Sequence, residues 1–448
     1  MSRAPARTGR ALAIAVLAAF VLLALQSGAV MTILALALDD LGSSTDVGST
    51  MTLFLAANLV GMSVGGLLCR WLAPALVVLV CMGAGAAGLL VAAAAGDLAW
   101  FLSGRAVQGA GNGACMVALY VIAAVGFAGP SRARLLRGIT TAWMLPTIVG
   151  PAVAGTAAEH LGWRAVFALG AAGLGLAGLL VATAGRGLPE ARSDVLPRVV
   201  AAAALAAAGV CGLLVLPLDS LPVTLVVGAG LLASVALGAV VMLPRGTLAL
   251  GRGAPSGIAL RGIVAGAFFG VEAWVPLMLI DREGLSADLA GALIGVGGLC
   301  WVAGAWLYGA RRPGLSPQPG GGALAGACLV VSLGMAGLTL SGLVGGQLAT
   351  GLAGLAWAVA CFGMGAALPL ISILVFDQSS VSEYASASVG LQSSDALGCA
   401  VVVAVCGVLF AGVHDLSPGA AYAAVFGFGC LVAAGAVAVA PRLAGRAP

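Results

Sequence analysis

The sequence predicts an all-α polytopic membrane protein: two six-helix bundles with two extra central helices. Three observations predict it. Over 448 residues the chain is 61% hydrophobic and 8% charged, with a mean hydropathy of +1.14, whereas a soluble domain carries roughly 25% charged residues. Fourteen apolar runs each approach or exceed the about 20 residues needed to cross the hydrocarbon of a bilayer. The arginines gather in alternate connecting segments, as orientation in a membrane requires.

The first run, 11–38, follows Arg3, Arg7 and Arg10, and Ala35-Leu36-Ala37 mimics a cleavage site. Its apolar stretch outlasts the roughly 7–15 residues of a signal-peptide core, so it reads as a first span. Runs at 47–71, 75–95, 98–127, 138–160 and 164–184 complete a first set of six. The next two, 197–217 and 221–243, flank the Pro217–Pro222 stretch and read as two full spans or as a re-entrant hairpin; either adds an even number of crossings. Their flanks, Gly185–Arg198 and Pro244–Gly257, are rich in Gly, Pro and Arg and read as cytoplasmic linkers. Runs at 257–280, 286–310, 321–341, 346–376, 386–412 and 419–441 form a second six.

The expected division is therefore 1–184, an N-terminal six-helix bundle; 185–256, a linker with two additional helices; and 257–448, a C-terminal six-helix bundle. A duplicated unit should leave internal echoes. One is Gly65-Gly66-Leu67-Leu68-Cys69-Arg70 after the second run. Its counterpart, Gly304-Ala305-Trp306-Leu307-Tyr308-Gly309-Ala310-Arg311-Arg312, follows the second run of the other half.

With the N-terminus in the cytoplasm, 17 of the 20 arginines fall in cytoplasmic segments, leaving Arg105, Arg164 and Arg282 elsewhere. Both termini are accordingly expected inside. Asp39, Asp40, Asp46, Asp97, Asp219, Asp281, Glu283, Asp288 and Asp415 fall outside.

All 20 basic residues are arginine. Without lysine there is no Walker-type phosphate loop and no Schiff-base chemistry. The ten cysteines lie in or beside apolar runs with no C-x-x-C pair, and His160 and His414 are far apart; packing, not metal binding, is expected of them. No H-E-x-x-H or G-x-S-x-G cluster and no long polar domain occurs, so neither an enzyme nor a sensor is expected. The expected partners are a small-molecule substrate, protons and the lipid bilayer, with no nucleic acid, no cofactor beyond the proton gradient, and a functional monomer.

Three local patterns follow in order. Leu102-Ser103-Gly104-Arg105-Ala106-Val107-Gln108-Gly109-Ala110-Gly111 lies in the fourth run, Gly150-Pro151-Ala152-Val153-Ala154-Gly155 in the fifth, and Gly162-Trp163-Arg164-Ala165-Val166-Phe167 opens the sixth. They resemble motif B (L-x-x-x-R-x-x-Q-G-x-G), antiporter motif C and the W-R-x-x-F segment of the major facilitator superfamily, specifically its fourteen-helix drug:proton antiporter branch. The resemblance implies the major facilitator fold in a bacterial inner membrane. It further implies proton-coupled efflux of small apolar or amphipathic compounds, as in multidrug resistance, by alternating access. An uptake symporter of the same fold is the alternative. The chain departs from the pattern twice. Cys69 stands where the loop after span two usually carries Asp, with Leu72 in place of a glycine, so the usual charge relay there is not expected. Gln26 aligns with the branch's span-one Asp, which moves the expected proton site into the C-terminal half.

An ionisable group inside the bilayer costs about 2.5–3.5 kcal/mol at a helix centre, so each asks for a reason. Arg105 lies in the fourth run, as a partner of a protonatable acid, a substrate ligand or a structural donor. Glu272, in Gly270-Val271-Glu272-Ala273-Trp274-Val275-Pro276, sits beside a helix-loosening proline. Desolvation disfavours its charged form, which suits it to bind and release a proton. Asp395 reads as a second proton or substrate group, or as an interhelical clamp. Pro146, Gly150, Pro151 and Gly155 suit a kinked, closely packed helix with a conformational role. Gln26, Asn58, Gln108, Asn112 and Trp274 are candidates to line a cavity, with Arg105, Gln108 and Gly109 as the motif B set.

Overall fold

The computed structural model describes residues 6–41, 47–190, 193–214, 221–310, 321–414 and 416–444. Arg3, Arg192, Arg311, Arg312, Arg446, Asp46, Asp219 and Asp415 lie outside the described residues, as does the side chain of Pro151.

Every predicted run is largely helical where it is described. The helices are α1 (Ala6–Asp40), α2 (Val47–Leu68), α3 (Pro74–Ala93), α4 (Leu98–Gly126), α5 (Gly129–Leu161), α6 (Trp163–Ala184), α7 (Pro197–Leu214) and α8 (Leu221–Met242). They continue as α9 (Ala254–Glu272), α10 (Trp274–Asp281), α11 (Ala287–Ala310), α12 (Gly321–Leu343), α13 (Gly346–Gln378), α14 (Tyr384–Val413) and α15 (Pro418–Ala444). No strand occurs among the described residues. Eleven of their stretches are long and apolar enough to cross a membrane, and the chain is a multi-pass membrane protein.

Local chemistry sets several boundaries. Pro74 opens α3, where its missing N–H has no intrahelical role. The Asp97 side chain caps α4 by accepting from the Trp100 N–H at 2.8 Å. The single run 257–280 is interrupted between α9 and α10 because Pro276 has no N–H for the carbonyl of Glu272, four residues back. The α7 and α8 helices are 18 and 22 residues long, about 27 and 33 Å, which matches a hydrocarbon core of about 30 Å.

Two compact units make up the chain: Met1–Pro244 with Ser380–Gln392, and Arg245–Ser379 with Ser393–Pro448. In the first, α7 packs on α2 and against α8, so both extra helices belong to this unit. The first turns of α14 belong to it as well. The Tyr384 hydroxyl accepts from Arg132 Nη2 at 3.1 Å, and Ser386 Oγ donates to Asp194 Oδ2 at 3.0 Å. Arg132 also donates to the Ala124 and Phe127 carbonyls at the end of α4, where a cation complements the helix dipole.

Each unit is organised on one buried helix. In the most apolar 18-residue stretch of α4, 78% of the residues are buried, and in that of α13, 89%. A Cβ at Gly104 or Gly111 would stand 2.6 Å from the Ala92 or Gly85 amide nitrogen of α3, and one at Gly109 or Gly113 would collide with the Phe54 or Asn58 carbonyl of α2. In the second unit, Gly363 backs onto Val331 of α12, Gly365 onto the Trp301 carbonyl of α11, and Gly304 of α11 onto the Phe362 carbonyl of α13. The sequence echo thus has a physical basis: Gly65 lies against Ala114 of α4 as Gly304 lies against Phe362 of α13.

Gly365→Val should therefore yield little monodisperse protein, or an unfolding midpoint in detergent lowered by several degrees, since overpacking costs about 1–3 kcal/mol even without a backbone clash. Gly155→Ala, where an added Cβ meets nothing within 4 Å, should leave the midpoint unchanged or slightly raised.

Candidate functional site

In the second unit, α9 and α14 meet along Gly262, Gly266 and Gly270, spaced four apart to form one helix face. Cβ atoms added at Gly262 and Gly266 would stand 2.6 and 2.7 Å from the Ser394 and Gly398 carbonyl oxygens. This close seam brings Arg261 to Asp395. Arg261 Nε lies 2.9 Å from both Asp395 oxygens, and Nη2 lies 2.8 Å from Oδ2. Arg261 Nη1 donates to Ser372 Oγ at 2.7 Å on α13. The pair is nearly enclosed, with side-chain exposures of 5% and 22%.

Glu272 lies eleven residues beyond Arg261 on the same helix, about 16 Å away along its axis. It is half-buried and, among the described residues, has no hydrogen-bond or ion-pair partner. Beside it an aromatic cluster spans three helices: the Phe268 ring stacks on Trp357 at 4.6 Å and meets Trp301 edge-on at 5.3 Å. The buried Trp301 and Trp357 indole N–H groups have no acceptor among the described residues. Trp274 instead packs 4.6 Å from Phe410, which also meets Tyr422 at 5.0 Å.

In the first unit, Arg105 sits on α4 with its guanidinium 4.4 Å over the Phe54 ring, and its Nη1 donates to Gln108 Oε1. Asn112 is buried one turn further along the same helix, and Asn58 is buried on α2. Gln26 is buried on α1 against Gly170 of α6, and neither amide atom is paired among the described residues. On α5, Pro146 and Gly150 are buried, and an added Cβ at Gly150 would meet Leu25 of α1 at 3.5 Å, an ordinary contact.

The sequence profile of the Major Facilitator Superfamily matches residues 16–403. The chain belongs to the Major Facilitator Superfamily. Among solved structures it is similar to the human organic anion transporter MFSD10 (TETRAN), with a TM-score of 0.71 at 17% identity, covering 97% of this chain and 100% of that one. It is also similar to the proton:xylose symporter XylE bound to 6-bromo-6-deoxy-D-glucose, with a TM-score of 0.69 at 14% identity, covering 96% and 95%. At these identities the likeness shows the fold, which is that of a secondary transporter. No curated protein sequence matches the chain.

The superfamily's W-R-x-x-F segment has a visible task here. Trp163 Nε1 and Arg164 Nη1 donate to Asp40 Oδ2 at 3.2 and 2.6 Å, and Arg164 Nη2 donates to the Ala95 carbonyl. Trp163 and Phe167 pack edge-on against Phe101. The end of α1, the α3–α4 turn and the start of α6 are tied together. The Arg164 guanidinium, aided by the Trp163 indole, holds the Asp40 carboxyl below the usual carboxylate range. The second unit repeats the device: Tyr422 of α15 donates to Asp281 at 3.2 Å, and Arg282 donates to the Gly342 and Val344 carbonyls at 2.6 Å.

Reading the sequence by loops put Arg261 in a cytoplasmic segment and left Asp395 without its partner. Arg261 nonetheless falls inside the run 257–280, and a charge there signals an internal counter-ion.

Arg261→Met alone should destabilise the protein by roughly 3 kcal/mol, the lower end for breaking a buried pair, because Asp395 keeps some contact with solvent. Arg261→Met with Asp395→Leu should recover most of that loss. Thermal unfolding of the two single variants and the double variant in detergent measures the coupling.

Proposed function

We propose that the chain is a proton-coupled exporter of small apolar or amphipathic compounds, working by alternating access with both termini in the cytoplasm. The observation that carries this reading is Glu272: a half-buried carboxyl at a helix break with no counter-ion among the described residues. An uncompensated charge in the bilayer is costly, so a carboxyl there exchanges its proton as its surroundings become wet or dry. Asp395 differs, because Arg261 supplies a compensating charge in every contact it makes. Glu272 is therefore the proton carrier of this reading, and the Arg261–Asp395 pair keeps α9 and α14 in register beneath it.

The export direction rests on the resemblance of Gly150–Gly155 to antiporter motif C. The likeness to a proton:xylose symporter makes uptake with protons the competing reading. The cargo of the two similar structures differs, an organic anion for one and a sugar for the other, so the fold alone leaves the cargo open.

In energised inverted vesicles, wild type should accumulate a transported compound against its gradient. Glu272→Gln should lower this accumulation at least tenfold, a barrier change of about 1.4 kcal/mol or more. The same variant should still exchange labelled for unlabelled compound without a gradient. Asp395→Asn should lose folded protein before it loses coupling. Full gradient-driven accumulation by Glu272→Gln contradicts the assignment.

A further inference from the structure

Arg105 is 2% exposed, and among the described residues no carboxylate pairs with it. A buried guanidinium is stable only where something replaces its hydration and balances its charge. The surroundings here do so in part. The Phe54 ring lies under the guanidinium and Gln108 Oε1 accepts one of its hydrogens, contributions of the cation–π and neutral hydrogen-bond kind. Arg105 Nε has no acceptor among the described residues.

Gln108 is 0% exposed, and its amide Nε2 likewise has no partner among the described residues. Two unpaired donors, one on a cation, thus lie on adjacent turns of the same rigid helix. Asn112, a further turn along, has an unpaired Oδ1. A planar guanidinium matches the two oxygens of a carboxylate, and such charge-assisted bonds are among the strong ones.

We infer that Arg105 and Gln108 form a subsite for the anionic group of the cargo, a small organic carboxylate with an apolar body. Arg105 Nε and Gln108 Nε2 donate to the carboxylate, and Asn112 Oδ1 accepts from a hydroxyl or amide N–H of the same molecule. Phe54 covers the guanidinium, so the ligand enters by displacing that ring. The packing of α4 through Gly104, Gly109, Gly111 and Gly113 holds the donors in place, which limits the entropy lost on binding. This inference rests on the reading of the chain as a small-molecule carrier and narrows its cargo to organic anions.

Binding to the purified full chain in detergent tests it. The probes are aryl and alkyl carboxylates, each paired with its neutral primary amide, and the readout is intrinsic tryptophan fluorescence. At least one acid should bind about tenfold tighter than its amide, as charge-assisted bonds predict. Arg105→Gln should erase this difference and Arg105→Lys should keep part of it. Gln108→Glu should also erase it, by setting a resident carboxylate on the guanidinium, and this variant decides the matter if Arg105→Gln does not fold. Acids that bind no better than their amides, or a preference that survives in either Arg105→Gln or Gln108→Glu, overturn the subsite. Because no proton gradient enters the measurement, a negative result leaves proton-coupled transport standing, and loss of coupling elsewhere leaves the subsite standing.

Discussion

Apolar side chains gain nothing by leaving lipid for one another, so helices within a bilayer hold together where their backbones come close and where polar groups pair. In this protein glycine makes the close approach, and each unit is built on one glycine-lined helix, α4 or α13. Carbonyls of α2 and α11 and amides of α3 and α12 occupy the space that a Cβ would need. The 69 glycines of the chain are thus concentrated in effect: some, such as Gly155 and Gly175, face open space, while Gly109, Gly113, Gly363 and Gly365 determine how near two helices can lie. Neighbouring features depend on those seams, because a side chain is only as fixed as the helix that bears it.

The charged groups are hung on that frame in two ways. Where an ion has a partner it ties helices together, as Arg261 ties α9 to α14 and α13, or as Arg164 ties α6 to α1 and to the α3–α4 turn. Where it has no counter-ion among the described residues, as with Glu272 and Arg105, no ion pair offsets its burial, and the proposed reading gives it a part in transport. The sorting by partner assigns these roles more sharply than depth in the membrane does, since all four groups of the two buried sites belong to helices that cross it.

Much of the fold was legible in the sequence because the bilayer imposes a length on every span: each of the fourteen apolar runs is largely helical where it is described, and Pro276 foretells the break at Glu272. The division into units was less legible. Nothing in the composition of 197–243 says that α7 lies on α2, nor that the first turns of α14 join the first unit through Tyr384 and Ser386. The pairing of Arg261 with Asp395 spans 134 residues, and a single sequence does not reveal helix rotation, so counting arginines by loop does not show that Arg261 faces inward. The tie between Asp281 and Tyr422 was hidden for the same reason. Its counterpart at Asp40 was half visible, because the W-R-x-x-F segment was recognised before its partner was known.

On the proposed reading, cargo leaves as protons enter through Glu272, which has no counter-ion among the described residues. Proteoliposomes loaded with a pH-sensitive dye test it most directly, by imposing a cargo gradient across the membrane without a pH gradient. The account predicts that downhill movement of cargo drives protons the opposite way, and that Glu272→Gln moves cargo with no change in internal pH. Protons travelling with the cargo, or a proton flux unchanged by Glu272→Gln, would contradict it.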